Sequence, residues 1–143
     1  MARKGLSKDK VVEAAMEFIE EKGYKEFTVR ELAVRLNIKA ASLYNYIDNM
    51  EELNCEVAQR AIAELKALQE RAAEGKERDA ALLALALAYR EFVQQRPQLY
   101  KVIMQLPDME AHNILATGAE TIAPLMAVLN MYKISDVARM QYQ

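Results

Sequence analysis

The 143-residue sequence contains a single cysteine, Cys55, and a single histidine, His112. One thiol cannot close an internal disulfide, and one His with one Cys cannot assemble a zinc site. That cysteine usage suits a reducing cytoplasm, the compartment expected here. No run of about 18 apolar residues occurs, so no membrane span is expected. The N-terminus, MARKGLSKDK, carries charge with no apolar region behind it and does not read as a secretory signal. There is no Gly-rich phosphate loop, no paired-ligand motif and no nucleophile–base set from which a catalytic site could be built. The expectation is therefore a protein that is not an enzyme and carries no metal or cofactor. Alternating strand patterns, internal repeats and low-complexity tracts are also missing, which leaves an all-α chain.

What is present is 52% hydrophobic and 28% charged residues, a globular balance of a size that suits one domain, or a small domain attached to a larger helical one. The net charge of −2 by itself argues against nucleic acid. Its distribution argues the other way. Residues 25 to 47 hold four cations (Lys25, Arg30, Arg35, Lys39) against two acids (Glu26, Glu31), whereas residues 48 to 60 hold four acids against Arg60. Outside the first of these stretches, the basic balance returns only at Arg3 and Lys4.

That basic stretch coincides with the most ordered pattern in the chain, Thr28 to Leu53. Thr28 and Glu31 make a capping-box pattern. Leu32, Ala33 and Leu36 form one apolar face at helical spacing. Asn37 suits a left-handed residue at the helix end, and Ile38 can turn inward to pack the bend. A second short helix is expected over 40–47, with Leu43 and Ile47 inside and Ser42, Tyr44, Asn45 and Tyr46 mostly free. Two helices joined by a turn of a few residues, the second with a polar outer face, make a helix-turn-helix.

Around this motif, Ser7 or Asp9 can cap a first helix over 8–22 with Val11, Ala14, Ala15, Phe18 and Ile19 inside, ended by Gly23. Phe27 can staple the start of the second helix. A fourth helix is expected from Asp48 or Asn49 to about Ala73. It would be about 38 Å long at 1.5 Å per residue, enough to link two parts of a protein. Segment 79–95 is apolar nearly all round (Leu82, Leu83, Leu85, Ala86, Leu87, Tyr89, Phe92) and should lie near the centre of a bundle. A short helix from Pro97 stops before Pro107, a long one over 109–131 is kinked at Pro124, and a last begins at Ser135 or Asp136. The expected division is a helix-turn-helix domain over 1–53, the helix 48–73 linking it to a helical regulatory domain over 54–143. In the latter, Tyr89, Phe92, Tyr100, Met104, Met109, His112, Leu115, Ile122, Leu125, Met126 and Leu129 are candidate linings of a pocket between helices. The eight methionines and the scarcity of charge over 99–132 point to an apolar or amphipathic small molecule. Each of these residues also reads as ordinary core.

Residues 7 to 53 resemble the N-terminal domain of the TetR (tetracycline repressor-like) family of transcriptional regulators. The carrying residues are the apolar first helix ending at Gly23, Thr28-Val29-Arg30-Glu31-Leu32-Ala33, Leu43-Tyr44-Asn45-Tyr46-Ile47 and Asn49-Met50-Glu51-Glu52-Leu53. Arg96-Pro97-Gln98-Leu99-Tyr100 followed by Leu106-Pro107 is similar to one class of the family's ligand-binding domains. The resemblance implies a homodimer binding a palindromic operator in double-stranded DNA, in the usual case as a repressor released by a small effector. It also implies roles. Thr28 would offer a hydroxyl and free backbone N–H groups to phosphate. Ser42, Tyr44 and Tyr46 would donate hydroxyls to phosphate. Arg30, Lys39 and Asn45 would reach base edges. Ala40 and Ala41 would let the helix lie close in the groove, and Arg3 and Lys4 would follow the backbone or minor groove. The chain departs from the family pattern at Asn37 in place of Gly, Tyr46 in place of His, and Met50 in place of a phosphate-binding Lys. It also stops near the first of the two C-terminal helices through which the family dimerises, so the regulatory domain is expected to be incomplete. A helix-turn-helix that docks proteins, with weak or no specific DNA binding, is the alternative.

Overall fold

Three of the four α-helices in the N-terminal half start where a side chain can accept one of the backbone N–H groups that a first turn leaves unpaired. In the computed structural model, which describes residues 5–105 and 123–130, Ser7 accepts the N–H of Lys10 and opens α1, Lys8–Lys22. Gly23, at φ 94°, ends it and leads into a single 3₁₀ turn, Tyr24–Glu26. Thr28 accepts the N–H of Glu31 at 3.1 Å and opens α2, Val29–Leu36. Asn37 then takes the left-handed conformation (φ 55°, ψ 46°) and the N–H of Ile38 reaches back to the Ala33 carbonyl at 3.0 Å, closing the helix. A short α3, Ala40–Leu43, follows; it is the exception, with no capping side chain. Asn49 accepts the N–H of Glu52 at 2.7 Å and opens α4, Met50–Ala73, with Glu51 and Glu52 in the turn where the helix dipole favours them.

Past the bend at Gly75, α5, Arg78–Gln95, runs back along α4, and α6, Pro97–Met104, turns in beneath α1. Residues 123–130 are helical and contain Pro124; Val128 packs on Ala81 and Leu85 of α5. The rest of the helix expected over 109–131, and the last helix from Ser135 or Asp136, lie outside the described residues. All described elements are helical, and the architecture is all-α.

The main core is continuous from α1 to α6. Val11, Val12, Ile19, Leu32, Leu43, Ile47, Leu53 and Val57 join Phe92, Leu99 and Val102 in one cluster. Residues on both sides of the expected boundary at 53/54 therefore share one apolar interior.

Segment 79–95 departs from its expected central position. Ala81, Leu85, Ala88 and Phe92 are buried, but Leu83 and Leu87 are 61% and 52% exposed and Tyr89 is exposed as well. The composition is apolar on both sides of α5, whereas among the described residues α4, α6 and the 123–130 helix cover only one.

Candidate functional site

The two halves of the helix-turn-helix are held by different means. Through Leu32, Ala33 and Leu36, α2 is fixed to the core. It is also clamped to α1 by Arg35, whose guanidinium donates to both carboxylate oxygens of Glu21 at 2.9 Å and lies 6.0 Å from the centre of the Phe18 ring. The paired guanidinium holds the Glu21 carboxyl below its ordinary value, and Glu21 in turn raises Arg35. Arg35, one of the four cations of the basic stretch, is thus committed to the fold.

Leu43 and Ile47, both almost fully buried, are the main anchors of the second half. Between them the chain leaves the α-helix earlier than the pattern over 40–47 implies. Regular α3 stops at Leu43, and 44–46 continue as a tighter turn in which the N–H groups of Tyr44, Asn45 and Tyr46 bond three residues back, to Ala41, Ser42 and Leu43. The Ile47 N–H still reaches the Leu43 carbonyl at 3.1 Å, so the two anchors keep the spacing of one helix face.

This geometry sorts the candidate residues. Thr28, Arg30, Lys39, Ala40, Ala41, Tyr44 and Asn45 are not buried, and Tyr44, whose ring has the size to pack on α1, is instead 53% exposed. Arg30 and Lys39 make no ion pair among the described residues. Two placements are corrected. Ser42 is 8% exposed, not the mostly free residue expected. Tyr46 is half-buried against the core, its ring serving the packing of the turn. Their neighbours Leu43 and Ile47, both buried, set the rotation of the segment. Arg3 and Lys4 lie outside the described residues.

Met50 opens α4 half-buried against the core. Glu52, two residues on, draws three elements together. One carboxylate oxygen accepts from the Lys8 ammonium at 2.6 Å and the other from the Asp48 N–H at 2.6 Å, while its own N–H donates to Asn49. The Lys8 hydrogen bond, then the Asp48 N–H, hold the Glu52 carboxyl below its ordinary value. Arg60 pairs with Asp9 further along the same α1–α4 seam. No sequence signal pointed to Lys8, which lies 44 residues from its partner.

Part of the candidate pocket lies among the described residues. Phe92 is core, Met104, Leu125 and Met126 are exposed, and Leu129 is half-buried. Tyr89 and Tyr100 meet edge to face with their hydroxyls 2.7 Å apart, and burial with this bond pushes Tyr89 up to about 12. Met109, His112, Leu115 and Ile122 lie outside the described residues. The described residues also contain no cluster of His, Cys, Asp and Glu able to hold a metal, and no helix among them is long and apolar enough to cross a membrane.

Residues 11–57, which span α1 through the start of α4, match the family model for bacterial regulatory proteins of the tetR family. Residues 82–141 match the model for the tetracyclin repressor-like C-terminal domain. The chain belongs to the TetR family.

Among relatives, the HTH-type transcriptional regulator Rv0681 of Mycobacterium tuberculosis is 34% identical over 130 residues, 89% of this chain and 59% of its own length. The negative regulator of the biofilm operon icaADBC, IcaR of Staphylococcus epidermidis, is 44% identical over 46 residues, 32% of this chain and 25% of its own. The chain thus spans little more than half the length of the first of these relatives. The TetR family transcriptional regulator PfmR from Thermus thermophilus superposes with a TM-score of 0.66 at 26% identity, covering 91% of this chain and 77% of PfmR. Within the TetR family, then, this chain places an Asn at the left-handed end of α2 and a methionine at the first residue of α4.

Proposed function

We propose that this TetR-family chain is a DNA-binding transcriptional regulator: a homodimeric repressor that binds a palindromic operator and is released by a small hydrophobic or amphipathic effector. The observation that carries the reading is the outward set on the helix-turn-helix. Arg30, Lys39, Tyr44 and Asn45 are exposed together on a motif whose inner face is fully anchored, and neither cation is spent on an ion pair among the described residues. Arg or Lys reads guanine and Asn reads adenine in the major groove. Thr28 adds a phosphate contact: its oxygen accepts the Glu31 N–H, so its own proton is free to donate, beside the unpaired N–H groups of the first turn of α2. The exposed methyls of Ala40 and Ala41 allow a close approach to thymine. Repression is supported by the likeness of this motif to that of a named negative regulator. Two motifs related by a two-fold axis would read half-sites one helical turn, or a multiple, apart. Because coupling between sites is reciprocal, effector and DNA would weaken each other by the same factor.

Selection of bound sequences from a random DNA pool tests this reading. A palindrome with half-sites at helical-turn spacing is the expected result. Failure to enrich any sequence, together with no retention on a DNA column at low salt, would make the motif a protein-docking scaffold.

A further inference from the structure

We infer that a cationic cleft at the junction of the helix-turn-helix and α6 binds a small amphipathic anion, its acidic head between Lys25 and Lys101 and its tail over Phe27, Tyr100 and Met104. The cleft has a volume of 520 Å³, within the usual range for small-molecule sites. Its floor is apolar and formed by both parts of the molecule: Tyr24 and Phe27 from the segment between α1 and α2, Tyr100 and Met104 from α6. Among the described residues, its only charged members are the two lysines, both exposed and neither ion-paired. In a chain with 21 acids against 19 Lys and Arg, a cleft lined by two ammonium groups and no carboxylate is a selective feature.

Of the nearby acids, Glu20 accepts the N–H of Leu99. Glu26 does not line the cleft; it lines the neighbouring hollow beside Thr28, which Lys25 also borders. The cleft differs from the apolar groove on α5, where Lys76 is balanced by Glu91. Lys side chains can lay their stems along the apolar floor and leave the ammonium at the rim, the geometry an anionic head with an alkyl tail requires.

The cleft also lies on a seam. Beside the buried Leu99 and Val102, two long hydrogen bonds tie α6 to α1 and the turn after it: Tyr24 N–H to Gln98 at 3.4 Å and Leu99 N–H to Glu20 at 3.3 Å. Both lie beyond the usual range for such bonds. A ligand seated against Tyr24 and Tyr100 touches both sides of a seam held by weak polar contacts. The inference rests on the ligand-responsive half of the proposed function and gives that effector a charge and a place.

The test is calorimetric titration of the whole chain, without DNA, using decanoate and decyltrimethylammonium below micelle-forming concentrations. Decanoate should bind and the cation should not. The Lys25→Ala/Lys101→Ala variant should bind decanoate roughly tenfold more weakly or worse, since each charge-assisted contact carries about that factor, with an unchanged circular dichroism melt. Lys76→Ala should bind as the parent does. Equal binding of both amphipaths, undiminished binding by the double variant, or no binding of decanoate would each overturn the site. Because no DNA is present, any of these results leaves the DNA-reading half of the proposed function untouched.

Discussion

Three single residues test the proposed DNA contacts of the helix-turn-helix. Arg30 and Tyr44 are exposed, and no core contact of the described structure depends on the atoms that would meet DNA. Arg30→Ala and Tyr44→Phe are accordingly expected to weaken binding of a selected operator while leaving the thermal melt unchanged, a pattern that anisotropy titration beside calorimetry would reveal. Met50 is the opposite case, an apolar residue half-buried at the first position of α4 where the family places a lysine. Met50→Lys should raise operator affinity and steepen the slope of log K against log salt by about 0.9, the value for one added phosphate contact. An unchanged slope would mean that position 50 does not face the backbone. Asn37 bears on stability: in its left-handed conformation a Cβ without a polar group is disfavoured by about 1 kcal/mol or more. Asn37→Ala should therefore destabilise while Asn37→Gly does not, as urea titration of both would tell.

At the scale of elements, the short second half of the helix-turn-helix is positioned by its neighbours. Its own four-residue helix has no capping side chain. What fixes its far end is Glu52, which ties Asp48 at the end of the turn to Lys8 of α1. The sign of the pH dependence follows. Glu52 is lowered by the Lys8 hydrogen bond, so its contribution is present above the ordinary carboxylate value of 4.5 and is lost as the pH falls below it. Lys8 is raised by the same bond, so its share is complete below 10.5 and is lost as the pH climbs above it. Glu52→Gln should lower the melting temperature at neutral pH, and the difference from the parent should shrink as the pH is taken down through that acid range. A gap that stays constant in acid would assign the effect to packing and not to charge.

For the whole molecule, the continuous core decides how the parts respond to one another. Leu99 of α6 is fully buried in the same cluster as Leu32 and Leu43 of the helix-turn-helix. Leu99→Ala should cost about 2–5 kcal/mol, and the loss should appear in α1 to α4 as well as in α6. Hydrogen exchange would separate the cases: protection falling across both parts is expected, and protection lost in α6 alone would mean that the N-terminal unit is stable independently. One interior shared across the 53/54 boundary would give the proposed effector at the α6 seam a physical route to the helix-turn-helix.

The ends of the first helices and the turn between α2 and α3 were legible in the sequence because they depend on residues at most four positions apart: Ser7 with Lys10, Thr28 with Glu31, Asn37 with its own backbone, Asn49 with Glu52. The helix-turn-helix and its outward cations were readable for the same reason, since period and capping are local. Tertiary packing decided what local pattern leaves open. Ser42 and Tyr46 were drawn inward because Leu43 and Ile47 are both buried. Arg35 was consumed by Glu21, and Lys8 met Glu52 across 44 residues. Packing also left Leu83 and Leu87 uncovered among the described residues of an equally apolar helix, and gathered Lys25 and Lys101 at one cleft. Sequence determines which faces are apolar and where helices begin, because those follow from backbone geometry over one turn. Which face is covered, and which charges find partners, depends on where distant helices come to rest.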